Sequence, residues 1–142
     1  MARVRINGAK LEIKVTRLST RLIRRVLEEV QEGARIRAAF GPYATGRLAS
    51  SIKTTGPIPT GFKVLGTVSS DLPYASAAQS GARPHIIRGR GDYRLRFFWR
   101  RVGRVVYPWY VRHPGQPGKH YLTETLIQVA RRHNMKVRIT DF

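Results

Sequence analysis

A short segment near the end of the chain constrains the possible folds most strongly. It places two prolines and two glycines within five residues, after His113 and before Lys119. Proline fixes φ and lacks a backbone N–H group, so neither a helix nor a central strand can continue through the segment. The sequence therefore predicts a rigid elbow that positions the last helix and carries out no reaction. The residues of this elbow are His113, Pro114, Gly115, Pro117 and Gly118.

A long amphipathic helix is predicted over residues 16–39. An apolar residue stands at every fourth position from Leu18 to Val30, which is the spacing of one helix face. Thr16 or Ser19 is predicted to cap the start of this helix. Arg25 and Glu29 lie one turn apart and are predicted to form an ion pair on its surface.

The strand predictions rest on the alternation of apolar and polar residues. Residues 1–15 alternate loosely around an Asn-Gly dipeptide and are predicted to form an arm or a hairpin. Residues 62–69 alternate regularly and predict a strand, whereas residues 56–61 hold two prolines and two glycines and predict a turn or loop. Residues 136–140 alternate again and are predicted to close the sheet.

Together these elements predict an α+β fold in a single domain over residues 1–142. We expect an antiparallel sheet of four or five strands, packed by a long N-terminal helix and a C-terminal helix, with extended loops and termini. The C-terminal helix is predicted to begin at Gly118 or Tyr121 and to end at His133. Residues 95–99 and 105–107 are predicted to form a hairpin that turns near residue 102.

The charge of the chain is extreme, since 27 lysines and arginines stand against eight acidic residues and give a net charge of +19. A chain of this kind is expected to have an acidic partner, either nucleic acid or an acidic protein surface. The alternative is a solvated basic surface that only keeps the protein soluble. The charge is concentrated in eight arginines with one acidic neighbour, Asp92, and residues 83–94 are predicted to form a mobile basic loop. These arginines are Arg83, Arg88, Arg90, Arg94, Arg96, Arg100, Arg101 and Arg104.

Aromatic residues are interleaved with these arginines, and two interpretations are open. The aromatic side chains could form a platform on which nucleic-acid bases stack. Alternatively, every second residue of the hairpin faces a core, which is sufficient to account for Phe97 and Trp99. The sequence pattern favours the second interpretation.

No pattern in the chain predicts catalysis or metal binding. Cysteine is absent, which excludes disulfides, thiolate catalysis and cysteine-ligated zinc. The four histidines lack zinc-ligand spacing, and the serines lie in none of the known nucleophile motifs. No apolar run approaches the roughly 18 residues of a membrane span. The sequence therefore predicts neither an enzyme, nor a cofactor or metal site, nor a membrane protein.

Three motifs, taken in order along residues 15–133, resemble the tail-completion or head–tail joining (neck) proteins of long-tailed bacteriophages. The first is similar to the family's Thr-Gly-x-Leu-x-x-Ser-Ile turn, and the second to its Tyr-Ala-x-x-x-Glu-x-Gly helix, with Gln79 in place of the glutamate. The third is the elbow followed by an apolar pair, with Tyr121 in place of the usual phenylalanine. The matching residues are Thr45, Gly46, Leu48, Ser51 and Ile52, then Tyr74, Ala75 and Gly81, then Pro114, Gly115, Leu122 and Leu126.

The resemblance implies a small, non-catalytic virion protein that forms a ring between the head connector and the tail tube. Such a protein would assemble in the host cytoplasm and act in the neck of the virion. It would form a homo-oligomer, as a six-fold or twelve-fold ring, and contact adjacent neck, connector and tail proteins. The eight arginines would face either packaged DNA or an acidic neighbouring ring. The alternative is a basic nucleic-acid-binding protein of the ribosomal or nucleoid type. The substitution at Gln79 implies that any salt bridge the family makes there is absent.

Overall fold

The computed structural model describes residues 2–16, 20–41 and 44–141 of the chain. Where the sequence predicts a single domain, contacts group the chain into two compact units. We call the first the body, which comprises Met1–Ser80 and Gly118–Phe142. We call the second, Gly81–Pro117, the arginine hairpin.

The described residues of the body form a five-stranded sheet and four helices, which are numbered in chain order over both units. Its strands are β1 (Ala2–Asn7), β2 (Lys10–Thr16), β3 (Lys53–Thr60), β4 (Lys63–Ser69) and β11 (Val137–Asp141). Its helices are α1 (Thr20–Ala39), α2 (Arg47–Ser51), α3 (Ala75–Ser80) and α4 (Tyr121–Arg132). The arginine hairpin holds β5 (Gly81–Ala82), β6 (His85–Arg88), β7 (Phe97–Trp99), β8 (Arg104–Val106), β9 (Tyr110–His113) and β10 (Gln116–Pro117).

The predicted fold class is confirmed, since the body is an α+β unit with α1 and α4 as its two long helices. The order of strands in the sheet is β11-β1-β2-β4-β3. The sheet is mixed and not purely antiparallel, because β11 pairs with β1 in parallel while the other three pairs are antiparallel. Strands joined by a tight turn must run antiparallel, whereas β11 follows α4 and reaches the free edge of β1 in the same direction as that strand.

Strand β3 corrects the prediction of a turn or loop over residues 56–61. The chain pairs with β4 from Lys53 to Thr60, and the register shifts between Thr55 and Ile58. Gly56 has a φ of 98° and Pro57 has no N–H group to donate, which accounts for the irregular step. Because β3 lies at the edge of the sheet, its second side needs no partner and tolerates proline.

The buried residues form one core between the sheet and the two long helices. Alternate residues of β1, β2 and β4 are buried, as a strand with one covered face requires. Thr16 ends β2, so the prediction that it caps the long helix is wrong, and the alternative cap, Ser19, lies outside the described residues. The strands contribute Val4, Ile6, Leu11, Ile13, Val15, Val64 and Val68, and the helices Ile23, Val26, Leu27, Val30, Leu122, Leu126 and Val129.

Helices α1 and α4 are joined by ion pairs at two points. Glu29 accepts hydrogen bonds from Arg132 at 2.9 Å and from the His133 ring at 3.0 Å, and Arg37 contacts Glu124 at 2.7 Å. The carboxylate predicted to pair with Arg25 on its own helix therefore contacts the end of α4. Partial burial raises the pKa of Glu29, but the hydrogen bonds and charges of His133 and Arg132 outweigh it and lower the pKa below its ordinary value of 4.5.

Glu29→Gln is expected to remove a stabilising contribution that depends on pH. A lowered folded-state pKa means that the contribution is present above the ordinary value of 4.5 and is lost as pH falls through the folded value. The free energy of unfolding of the wild type should exceed that of the variant by about 0.5 kcal/mol at neutral pH, which is typical of a partly exposed ion pair. In strong acid the two free energies should be equal. Urea unfolding across this pH range measures the difference. The neighbouring exposed Glu28→Gln serves as control, and an equal effect there would contradict the assignment.

Gln79 fixes the start of α4 from the end of α3. Its Oε1 accepts the Leu122 N–H group at 2.9 Å, and its Nε2 donates to the Thr123 hydroxyl at 2.8 Å. The residue before the helix, His120, makes no side-chain cap, so Gln79 supplies one from elsewhere in the chain. Only 2% of Gln79 is exposed. The glutamine thus acts through hydrogen bonds at a position where the family resemblance has a glutamate.

Gln79→Leu is expected to lower the free energy of unfolding by about 2 kcal/mol, although leucine has nearly the same shape. The substitution leaves the buried N–H group of Leu122 without an acceptor, and an unpaired buried donor costs about 1–3 kcal/mol. Chemical denaturation followed by circular dichroism measures the loss. Ser80→Ala, on the exposed side of the same helix, should change stability by less than about 0.5 kcal/mol. Equal losses in both variants would rule out the capping role.

Candidate interaction site on the arginine hairpin

The arginine hairpin is one long antiparallel ribbon with an interruption. Strand β5 pairs with β10, β6 with β9, and β7 with β8. Between the last two pairs, the Gly89 N–H group donates to Trp109 at 3.3 Å and the Leu95 N–H group donates to Pro108 at 2.9 Å. The ribbon turns at Gly103, where φ is 73°. The turn lies where the sequence predicts it.

Residues 90–94 form a loop that leaves the ribbon on one side. The chain departs after Gly89, which pairs with Trp109, and rejoins at Leu95, which pairs with the preceding residue, Pro108. A Cβ atom on Gly89 would overlap the carbonyl oxygen of Tyr93, so the loop folds back directly over this glycine. The prediction of a loop over 83–94 is wrong for residues 85–88, which form β6 because they pair in register with β9.

All eight predicted arginines are exposed. Arg83 precedes β6, Arg88 ends it, Arg90 and Arg94 lie in the 90–94 loop, and Arg96 precedes β7. Arg100 and Arg101 lie in the turn, and Arg104 begins β8. A ninth arginine, Arg112 on β9, belongs to the same unit and was outside the range that the sequence singled out. The Arg94 guanidinium lies 4.6 Å from the centroid of the Trp109 ring, a cation–π contact.

The aromatic residues of the arginine hairpin are exposed, which overturns the prediction that alternate ones face a core. Phe97 is 37% exposed and Trp99 is 48% exposed. Every residue from 81 to 117 is described, and none of them is buried. A two-stranded ribbon is a single layer. No second layer packs on it within this unit, so the alternation of residues buries neither face. The exposed aromatic residues are Tyr93, Phe97, Phe98, Trp99, Tyr107, Trp109 and Tyr110.

The predicted elbow is a tight turn between β9 and β10. His113 ends β9, and its Nδ1 accepts the N–H group of Gly115 at 3.1 Å. Gly115 has a φ of 85°, and a Cβ there would lie 2.5 Å from the carbonyl oxygen of Ala82. His85 faces His113 across the ribbon, with ring centroids 5.0 Å apart. The elbow is completed by Pro114, by Pro117 in β10 and by Gly118, with which the second segment of the body begins.

Several residues of the three family-like motifs pack in the body, whereas Gly81, Pro114 and Gly115 belong to the arginine hairpin. Leu48 and Ile52 of the first motif are buried, and Gly46 has the left-handed conformation that starts α2. The Ile52 carbonyl oxygen accepts bonds from Gln31 and Arg35 of α1. Tyr121 of the third motif donates to Ala75 of the second at 3.4 Å, and burial raises the pKa of Tyr121 to about 12. The buried residues of these motifs contribute to the core of the body, which leaves the exposed arginine hairpin as the candidate site.

The composition of the arginine hairpin is that of a binding surface for macromolecules. It carries nine arginines, one acidic residue, seven aromatic residues and no lysine. Tryptophan, tyrosine and arginine dominate the energetics of protein interfaces, because they combine large contact area with specific hydrogen bonds. Among the described residues, no group of three histidine, aspartate or glutamate side chains could hold a metal ion.

Comparison of the chain with family models, with curated proteins and with solved structures gives no match. Within residues 2–16, 20–41 and 44–141, no helix is long and apolar enough to cross a membrane.

Proposed function

We propose that this protein is a structural, non-catalytic virion protein of a long-tailed bacteriophage. In this proposal it forms a homo-oligomeric ring in the neck, between the head connector and the tail tube, after assembly in the host cytoplasm. Two lines of evidence support it. One is the order of the three motifs along the chain, and the other is the exposed surface of arginines and aromatic residues on the arginine hairpin.

The observation that carries the proposal is the arginine hairpin itself. A unit of about 40 residues rarely has a stable core of its own, and this one buries none of its residues. Seven exposed aromatic side chains in so short a segment are costly in water. They are accounted for if neighbouring subunits cover the hairpin in an assembled ring.

The same composition favours an acidic protein as the partner of the eight arginines. Arginine pairs with carboxylates through two parallel hydrogen bonds and stacks on aromatic rings, as Arg94 does on Trp109. Lysine is depleted in protein interfaces and is absent from residues 81–117. We therefore place the adjoining surface of a neighbouring neck, connector or tail protein on the arginine hairpin, and not packaged DNA.

The location of the protein in the virion tests the neck role directly. A small tag on the chain should appear at the head–tail junction when labelled particles are imaged. A tag seen on the capsid or at the tail tip would overturn the proposal, and so would its absence from particles.

Neutralisation of the arginines in and around the 90–94 loop tests whether they contact a neighbouring protein or packaged DNA. Arg88, Arg90, Arg94 and Arg96 are changed to glutamine together, and the exposed body arginines Arg21, Arg24, Arg25 and Arg131 are changed as a charge-matched control. If the first variant fails to join rings and the control does not, the protein-contact assignment is supported. Particles that form normally but leak DNA would support the DNA-facing alternative. No change in either property would contradict both.

One observation favours a second candidate function, a free nucleic-acid-binding protein. The exposed Trp109 ring with Arg94 above it is an arrangement that can stack on a base. Purification distinguishes the two functions. Stoichiometric nucleic acid that stays bound in about 1 M salt would favour this candidate, because simple phosphate binding is lost well below that concentration.

A further inference from the structure

The sheet of the body has one open face. Residues 4, 6, 11, 13 and 15 point into the core, so the residues between them point to solvent. Among the described residues, seven on this face of the sheet are cationic. On the open face lie Arg3, Arg5, Lys10, Lys14, Lys53, Lys63 and Arg138, with Glu12 as an acidic neighbour.

Three of these cations lie in one row across adjacent strands. Arg138 is directly opposite Arg3 in the β11–β1 pair, and Arg3 is directly opposite Lys14 in the β1–β2 pair. Neighbouring strands are about 4.8 Å apart, so the row spans roughly 10 Å. Like charges in directly opposed positions destabilise a sheet. A polyanion bound across the row would convert this repulsion into attraction.

The ion pairs on this side of the sheet lie outside the row. Lys10 contacts Glu12 at 3.9 Å, and Lys53 contacts Asp71 at 3.7 Å. Within the described part of the chain, no carboxylate forms an ion pair with Arg3, Lys14 or Arg138. These three cations are exposed and available to an external anion.

The row ends beside an open groove of about 370 Å³ at the β3–β4 turn. Lys14 and Lys63 line the groove together with Phe62 and Leu65. The Phe62 side chain is 87% exposed. An exposed aromatic ring in the same groove as two lysines can stack on a base while the lysines contact the adjoining phosphates. Lysine is depleted in protein interfaces, whereas a ring beside lysine charges suits a base with its phosphates, so this combination favours nucleic acid over an acidic protein.

We infer that the open face of the sheet binds the phosphodiester backbone of a nucleic acid, with phosphates on the row of Arg138, Arg3 and Lys14. The face differs in kind from the arginine hairpin. Four of the six lysines of the chain lie on strands of this sheet, and the hairpin has none. Lysine acts as a point charge toward phosphate, and the two arginines of the row can bind phosphate through paired N–H groups, so neither residue type requires a particular base sequence.

Salt dependence of DNA binding by the full chain tests the inference. Arg3, Lys14 and Arg138 are changed to glutamine together, and binding of a short mixed-sequence duplex is measured by fluorescence anisotropy. The slope of log affinity against log salt should become shallower by about 2.7, and affinity in about 0.1 M salt should fall about a hundred-fold. Arg88→Gln, Arg90→Gln and Arg96→Gln together remove the same charge from the hairpin and should leave the slope nearly unchanged.

Two further arms identify the source of the phosphates. Phe62→Ala should lower affinity for a single strand about tenfold if bases stack on the ring, and should leave duplex binding unchanged. Tight duplex binding with no effect of Phe62→Ala would assign the row to duplex DNA alone. Polyglutamate that displaces the duplex at equal charge concentration would overturn the inference in favour of an acidic protein. An unchanged slope in the sheet variant would overturn it as well.

Folding of the variant is checked by thermal unfolding at low salt, where loss of the opposed charges should leave the midpoint equal or higher. If the triple variant does not fold, photochemical crosslinking of wild-type protein to DNA supplies the test. Adducts on the peptides that contain Lys14 and Phe62 are expected, and adducts confined to residues 81–117 would contradict the inference. The inference stands apart from the neck role, because a misplaced tag in the virion would refute that role and leave these binding results unaffected.

Discussion

Leu27→Ala is expected to lower the free energy of unfolding by about 3 kcal/mol. Leu27 is 1% exposed and lies on α1 against the sheet, so its removal leaves a cavity that rigid strands cannot fill. It packs against the sheet at Gly66, where an added Cβ would lie 2.5 Å from Leu27 Cδ1 and 2.7 Å from Cδ2. Urea unfolding followed by circular dichroism measures the loss.

The contact between Leu27 and Gly66 makes the two positions interdependent. Gly66→Ala alone is expected to cost about 1–3 kcal/mol, because the new methyl group overlaps the leucine. In the double variant the methyl group occupies part of the space that Leu27 leaves. The loss in free energy of unfolding should therefore be about 1–2 kcal/mol smaller than the sum of the losses in the two single variants. Leu122→Ala on α4 is the control, and its loss should add to that of Gly66→Ala. Simple additivity of Leu27→Ala and Gly66→Ala would contradict the packing described.

Trp99→Ala and Trp109→Ala together are expected to weaken self-assembly about a hundred-fold or more. Truncation of tryptophan at the centre of an interface commonly costs at least about 2 kcal/mol, and two such side chains are removed. Neither residue is buried in the isolated chain, so the unfolding midpoint should stay within about 2 °C of the wild-type value. Sedimentation velocity measures assembly, and differential scanning calorimetry measures the midpoint.

Phe62→Ala is the matched control for the two tryptophans, because Phe62 is a more exposed aromatic residue that lies on the body. It should assemble as wild type does. If the tryptophan variant assembles at the same protein concentration as the wild type, the aromatic surface of the hairpin is not part of the interface.

The sequence predicts those elements whose signal is local. The apolar stripe of α1 and the alternation of β4 set which face is buried, and the structure follows both. The start of α4 at Tyr121 agrees with one of the two predicted positions, since the elbow permits no earlier helix. Each of these predictions depends on residues within one or two turns of each other, where spacing alone decides the structure.

The wrong predictions concern contacts between residues far apart in the chain. Glu29 has a suitable partner one turn away in Arg25, yet Arg132 and His133 contact it from α4. Alternation at Phe97 and Trp99 correctly indicates a strand. One face of a strand is buried only where a second layer packs on it, and the sequence does not indicate that such a layer is missing here. The open face of the sheet was likewise not foreseen, because the row of Arg138, Arg3 and Lys14 exists only once β11 has paired with β1.

The junction between α3 and α4 also bears on how this chain can change in evolution. The N–H groups of Lys119 and His120 donate to the carbonyl oxygens of Ala78 and Gln79 at 2.8 and 3.0 Å. The body thereby holds the two ends of the intervening segment side by side with its own hydrogen bonds. Because closing a longer loop costs only about 0.6 kcal/mol for each doubling of its length, the segment is free to lengthen, shorten or diverge. One stable body can therefore carry hairpins of different length and sequence.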